Sequence, residues 1–379
     1  MKQFKLISIL ACSIFLGGCL QQKPLEELGL VTAMGYDKED ELLRGTIVYY
    51  EFDPLHTNDS KMVSTLSNTS KGIRQKENLS SSRKLVSGQL RIAIYGEELA
   101  KEGIIAYIDT LSRDSEVGTM VYLSVAENSA YELIHNSQQS EEITNVGTYL
   151  YDLISQNVEA ESLVSPTLHE FMQCYYSEGR DPVLPLLDFS DDTLRIKGLA
   201  LFKDDKMQGS IDTDKSFYLK LLLDPYRAGT IEISLPKNDM GNHIKKREQV
   251  QNKDENLFVS LDHLESSVDI KLDDAKANEY SIKVDVVTRM QEISEDYDLG
   301  NPKALIVLEK AISKVMERKM EKIIAEFQNL GVDPIGFGNY YRSKVGYEKF
   351  SREKWQGIYP GATFSIEVKT KILRTGVMD

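Results

Sequence analysis

The stretch NPKALIVLEKAISKVMERKMEKIIAEFQNLG, residues 301–331, decides how the last third of this chain must fold. Asn301 is a good helix cap, and Pro302 suits a first turn, where a missing N–H is no loss. Leu305, Leu308, Ile312, Val315, Met316, Met320, Ile323, Ile324 and Phe327 then recur every three or four residues until Gly331 stops the run. That spacing gathers the apolar side chains into one stripe of a long helix, and the stripe must be covered. Its cover is read from both flanks. Upstream, residues 229–236, 257–264, 267–272 and 279–287 suggest four strands of a meander, with a charged loop over 237–255. Downstream, Ala362, Phe364, Ile366, Val368 and Ile372 alternate with Thr363, Ser365, Glu367, Lys369 and Lys371, the pattern of a half-buried strand. The region is therefore expected to be α+β, an antiparallel sheet with the long helix laid on one face.

Farther upstream the pattern changes. Residues 28–36 and 43–52 read as strands around an acidic turn at 37–41, and 194–202 with 206–211 as a second hairpin turning at Asp204 and Asp205. Between them, 89–95 reads as a strand, 97–111 as a helix with Leu99, Ile104, Ile105, Ile108 and Leu111 on one face, and 119–126 as a strand, a compact βαβ unit. Helical stretches follow near Ala130 and over 141–156. Residues 56–83 are polar and Ser/Asn-rich, with helical spacing only in their second half. Gly179, Pro182 and Pro185 interrupt the periodicity over 178–185, which reads as a linker. If the second hairpin returns to the first, the layout is an N-terminal domain from 19–60 with 158–211, an inserted middle domain at 61–157, and a C-terminal domain at 212–379.

The N-terminus reads as an address. Lys2 and Lys5 precede an apolar run over 6–16, too short to span a bilayer, which takes roughly 20 apolar residues. Leu16-Gly17-Gly18-Cys19 follows and resembles the bacterial lipobox, so residues 1–18 are expected to be a signal peptide and Cys19 the lipidated first residue of the mature protein. Two or three acyl chains anchor stably where one does not. Of the three cysteines, Cys12 leaves with the signal and Cys19 carries lipid, so Cys174 has no disulfide partner and reads as a small buried hydrophobe. With 45 basic against 59 acidic residues, the net charge of -14 repels phosphate backbones and argues against a nucleic-acid partner.

Motifs that carry chemistry are missing. The five histidines lie far apart, none with metal-ligand spacing, and there is no nucleophile elbow and no phosphate-binding loop. The expectation is no catalytic residue, no metal and no cofactor. Gly336-Phe337-Gly338 follows a helix and lacks the third glycine of a dinucleotide fingerprint, so it reads as a turn where small residues let the backbone come close to something. The pairs Asp191-Asp192, Asp204-Asp205 and Asp273-Asp274 lack calcium-loop spacing and read as solvated turns. Trp355, with Tyr340, Tyr341, Tyr347, Phe350 and Tyr359, makes an aromatic concentration. It is either a small core under the last strand or a patch facing a partner, for which Trp355, Tyr340 and Arg342 are the candidates.

Gly336-Phe337-Gly338, Arg342-Ser343-Lys344, Trp355, Tyr359-Pro360 and Lys371-Ile372-Leu373-Arg374-Thr375-Gly376 together resemble the C-terminal signature of the Ger(x)C family, the lipoprotein C subunits of spore germinant receptors. The run GLALFKDDKMQG at 198–209 resembles that family's central hairpin, and 28–37 its first mature strand. The chain departs from the pattern at Leu20-Gln21-Gln22-Lys23, where Trp-Asp and a basic residue are common, and at Ser210, where an aromatic is often found. The resemblance implies an α+β protein of three domains, each a largely antiparallel sheet with flanking helices. It implies a non-enzymatic subunit held by lipid on Cys19 to the outer face of the spore inner membrane. Its partners would be the membrane A and B subunits of a receptor that responds to small nutrients. A solute-binding lipoprotein of an importer is the alternative, and would need a deep cleft between two α/β lobes.

Overall fold

The computed structural model describes residues 24–51, 59–245 and 255–373. The expected signal, Cys19, His56, residues 246–254 of the charged loop and Arg374-Thr375-Gly376 lie outside the described residues.

In the first half, β1 (Leu28–Glu39), β2 (Leu42–Glu51) and β3 (Asp59–Ser67) form an antiparallel meander. Next come α1 (Ser70–Ser80), β4 (Lys84–Val86), β5 (Ile92–Gly96), α2 (Glu97–Glu102), α3 (Ile105–Ser112) and β6 (Tyr122–Ala126). Then α4 (Ala130–Gln139), α5 (Val146–Glu159) and α6 (Leu168–Ser177) lead to a second meander of β7 (Val183–Ser190), β8 (Thr193–Lys203) and β9 (Lys206–Asp212). All nine strands join one sheet in the order β3-β2-β1-β5-β6-β7-β8-β9, with β4 also beside β1. β5 and β6, from 61–157, therefore lie between the strands from 19–60 and 158–211 while β3 extends the sheet beyond β2, and the expected inserted domain does not coincide with a break in the sheet.

The centre of this sheet is parallel, from β1 through β5 and β6 to β7, because helical crossovers join these strands. Only its flanks match the expected antiparallel pairing. Helices on both faces bury β5 and β6 completely. Ile92 and Ile94 pack with Ile134 and Leu150 on one face, and Ala93 and Tyr95 with Leu99 and Ile108 on the other.

Several local readings are corrected. The helix expected over 97–111 is two, because the chain turns at Gly103 with φ +127°, where Asp205 Oδ2 accepts the N–H of Ile105 at 3.1 Å. Asp37 is not in the acidic turn, which falls at Asp40 with φ 52°. It lies inside β1 and its carboxylate accepts the N–H groups of Ala130 (2.7 Å) and Tyr131 (2.8 Å), capping α4 from another element. The polar stretch 56–83 contains β3, and the linker region 178–185 already contains the start of β7.

The second half comprises α7 (Thr213–Leu223), β10 (Ile231–Pro236), β11 (Asn256–Asp274), β12 (Glu279–Ile293), α8 (Pro302–Leu330), α9 (Phe337–Val345), α10 (Arg352–Ile358) and β13 (Thr363–Leu373). Its sheet runs β10-β11-β12-β13. The two strands expected over 257–272 are one strand, bulged between Asp262 and Glu265, where His263 has φ 45°. The last strand pairs with β12 in parallel, since α8 carries the chain back across the sheet before β13 begins.

The long helix is as the sequence required. Asn301 caps it, its side chain accepting the N–H of Lys303 at 3.0 Å, and Gly331 ends it in the left-handed region at φ 69°. Leu308, Ile312, Met316, Met320, Ile323, Ile324 and Phe327 are all buried against the sheet, while Leu305 and Val315 lie at the margin. The opposite edge of this helix does a second job. Glu317, Ser313 and Glu309 accept the N–H groups of Val368 (3.0 Å), Thr370 (3.0 Å) and Ile372 (2.8 Å). Four helical residues rise about 6 Å and two strand residues about 6.6 Å. Every fourth helix side chain can therefore meet every second amide and close the edge of β13.

Candidate functional site

Of the residues singled out by sequence, Cys19 lies outside the described residues. Trp355 does not face outward: it is 3% exposed, its ring lies 5.5 Å from that of Tyr341 and 5.4 Å from that of Tyr359, and its indole N–H is bonded inside. Trp355, Phe350 and Tyr359 form a small core, while Tyr347 of the same aromatic concentration is exposed. Tyr340 is exposed and Arg342 half-buried. The Arg342 guanidinium donates to the Ser177 carbonyl and to Asn339 Oδ1 (3.0 Å), and it lies 4.9 Å from the centre of the Tyr347 ring. The three candidates therefore share no single surface.

Trp355 and Arg342 contribute instead to a joint between the two halves, at the end of α6 and the turn after α8. Gly179 and Gly338 meet there backbone to backbone. A Cβ on Gly338 would sit 2.9 Å from the Gly179 Cα, and one on Gly179 would sit 2.8 Å from the Asn339 nitrogen. The something that the Gly-Phe-Gly turn approaches is thus Gly179, in the segment that read as a linker.

Asp333 organises the turn. Its Oδ1 accepts the N–H groups of Gly336 (2.8 Å) and Phe337 (3.1 Å), and its Oδ2 accepts those of Gly338 (2.8 Å) and the Trp355 indole (3.0 Å). A carboxylate offers about four lone-pair directions, and four donors fill them. Asp333 is 2% exposed, and burial pushes its carboxyl up to about 7 against those four donors, which favour the charged form.

Asp181 is its counterpart across the joint. Its Oδ2 accepts the Asp333 N–H at 2.7 Å, its Oδ1 accepts the Asp204 N–H at 3.2 Å, and its own N–H donates to the Asp333 carbonyl at 2.9 Å. Burial pushes its carboxyl up to about 6. Arg180 Nε donates to the Pro334 carbonyl at 3.1 Å. Arg352 donates to Asp204 Oδ1 at 2.5 Å and to the Tyr175 carbonyl, so Asp204-Asp205 is not a free solvated turn.

Sequence reasoning missed Asp181, Asp333 and Arg352 and read Asp204 as a solvated turn; the visible signal was the glycines. The arrangement couples the halves mechanically. Nowhere among the described residues do three or more His, Cys, Asp or Glu side chains gather in a way that could hold a metal ion. Cys174 is half-buried, and burial pushes its thiol up, away from the reactive thiolate. Its neighbour Glu170 is spent on a capping box, accepting the Thr167 N–H (3.3 Å) and hydroxyl (3.0 Å). No helix among the described residues is long and apolar enough to cross a membrane.

Comparison with known proteins places this architecture. Residues 21–189 match the spore germination protein N-terminal domain, and residues 197–376 the spore germination B3/GerAC-like C-terminal domain. The chain is 26% identical to spore germination protein GerQC of Bacillus cereus over 100% of both chains. It is 23% identical to spore germination protein KC of Bacillus subtilis (strain 168) over 98% of this chain and 95% of the other. The crystal structure of the GerBC protein shares the fold with a TM-score of 0.51 at 13% identity, covering 90% of this chain and 97% of that one. The two domain matches meet within a few residues of the joint's β7–β8 hairpin and leave little of the chain outside them, so the chain belongs to the Ger(x)C spore germination family.

Proposed function

We propose that the chain is the lipid-anchored, non-enzymatic C subunit of a nutrient germinant receptor, held through Cys19 on the outer face of the spore inner membrane and assembled with membrane A and B subunits. The observation that carries this reading is the pairing of a two-domain germination-family match over nearly the whole chain with a joint in which Asp181, Arg180, Arg342 and Arg352 bond across the two halves. A subunit that transmits force or position between partners needs such rigidity, and needs no pocket chemistry. Lipid on Cys19 fixes its height above the membrane and raises its effective concentration beside its partners. The test is expression beside the A and B subunits with Cys19→Ala as the control. Wild type is expected in the membrane fraction, labelled by palmitate and co-purifying with both partners. A Cys19→Ala protein that remains membrane-bound and supports germination would contradict the anchor.

A further inference from the structure

A groove of about 720 Å³ lies between the two halves, bordered by β8, β10 and the Val315–Lys319 turn of α8. Its lining includes Leu194, Arg195 and Ile196 in unbroken succession, and likewise every residue from Gly229 to Ser234. A sheet face presents alternate residues, so consecutive lining means that the groove runs along strand edges. The pairing agrees. Among the described residues, β10 is bonded only to β11, and β8 is bonded to β9 only from Gly198 onward, so 193–197 have no strand neighbour on that side. Two unpaired edges therefore border one groove.

The same C-terminal sheet treats its two edges differently. At β13, three side chains of α8 occupy alternate amides. At β10, among the described residues, nothing does. An unpaired edge is a template for another strand. Tyr226 lines the groove as well, buried at 2% exposure with a hydroxyl that has no hydrogen-bond partner among the described residues.

Charge selects the occupant. Arg195 is already engaged by Asp188 at 3.0 Å, whereas Asp214 and Glu232 have no ion pair among the described residues and outnumber the one remaining cation, Lys319. A second copy of a chain with net charge -14 would be repelled. We propose that this groove receives an extended, basic strand of a partner polypeptide, which pairs with the edge of β10 and sets a Lys or Arg opposite Glu232. The inference deepens the receptor reading above and rests on it, the partner being one of the membrane subunits.

Hydrogen–deuterium exchange on the lipidated chain, alone and in the detergent-solubilised assembly with both membrane subunits, tests it. Amides of 231–235 and 193–197 should exchange at least tenfold more slowly in the assembly. Glu232→Lys, on an exposed position, should leave thermal melting unchanged and weaken assembly about fivefold, as like charges facing each other across paired strands repel. Assembly with unchanged exchange at β10 would overturn the strand proposal and leave the receptor reading standing. Failure of the wild type to assemble would overturn both. Protection of β10 in the isolated chain that grows with concentration would identify a second copy as the occupant and overturn the basic-partner assignment.

Discussion

Asp181 and Asp333, 152 residues apart, hold each other by main chain and side chain at once. The Asp333 N–H donates to Asp181 Oδ2 at 2.7 Å, while the Asp181 N–H donates to the Asp333 carbonyl at 2.9 Å. The four N–H donors on the Asp333 carboxylate fix the turn after α8 itself, and these two bonds, with that from Arg180 Nε to the Pro334 carbonyl, tie the turn to the segment before β7. This coupling makes the two halves one mechanical unit, and it can be attacked residue by residue.

Asp333→Ala removes the acceptor of four buried N–H groups. Leaving several donors unsatisfied should destabilise the protein by about 3–5 kcal/mol. Asp333→Asn should be nearly as harmful, because its amide would point N–H at N–H. Urea unfolding of the mature domain measures both, and a loss below about 1 kcal/mol would show that the joint carries little of the stability.

Gly338→Ala forces a Cβ to within 2.8 Å of the Trp355 indole nitrogen and 2.9 Å of Gly179 Cα. Overpacking of this kind costs about 1–3 kcal/mol. Gly357→Ala, in α10 with nothing within 4 Å of the new Cβ, is the matched control and should be neutral or stabilising by up to about 1 kcal/mol. Equal melting temperatures for the two variants would contradict the close approach.

Glu77 supplies a pH dependence. It is 1% exposed, one carboxyl oxygen has no hydrogen-bond partner among the described residues, and burial pushes its carboxyl from 4.5 up to about 8. The folded state therefore holds a proton that the unfolded chain releases near 4.5. The contribution is fully present below that pH and is lost as pH rises through about 8, at a slope of up to about 1.4 kcal/mol per pH unit. Glu77→Gln, which keeps the neutral shape, should flatten the decline and be the more stable protein at pH 8. Parallel stability–pH curves for the two proteins would refute this.

Closure of the β13 edge is tested at Glu309 and Glu317. Replacing both by Ala should speed amide exchange at Val368 and Ile372, while Thr370, held by Ser313, changes least. The expected cost is about 1–3 kcal/mol in total. Unchanged exchange at all three amides would mean that the helix side chains do not seal the strand.

Sequence carried some of this and hid the rest for physical reasons. The long helix was legible because its cap, its period and its stopping glycine agree over 301–331. The strand–helix–strand order around it already implied a parallel β13, which the antiparallel reading overlooked. β3 escaped notice because an edge strand with only Met62, Val63 and Leu66 as apolar residues has a weak pattern. β7 was obscured by Pro185, which a strand tolerates here because β6 bonds only to Leu186 and Leu187. Trp355 looked like a possible docking residue because aromatic clusters serve interfaces and cores alike. Only the three-dimensional position of Asp333, a partner for the indole N–H, distinguishes the two. Asp181 and Asp333 could not be paired from one sequence, since nothing local reveals a contact across 152 residues.

The central claim is that this chain works as an anchored subunit of a membrane receptor. Its most direct test is affinity purification of the tagged wild-type protein from detergent-solubilised spore membranes, with mass spectrometry of the intact N-terminus and of whatever co-purifies. The account predicts a mature protein beginning at a lipid-modified Cys19 and accompanied by both membrane subunits in fixed proportion. An unmodified N-terminus, or a lipidated protein recovered without either subunit, would contradict it.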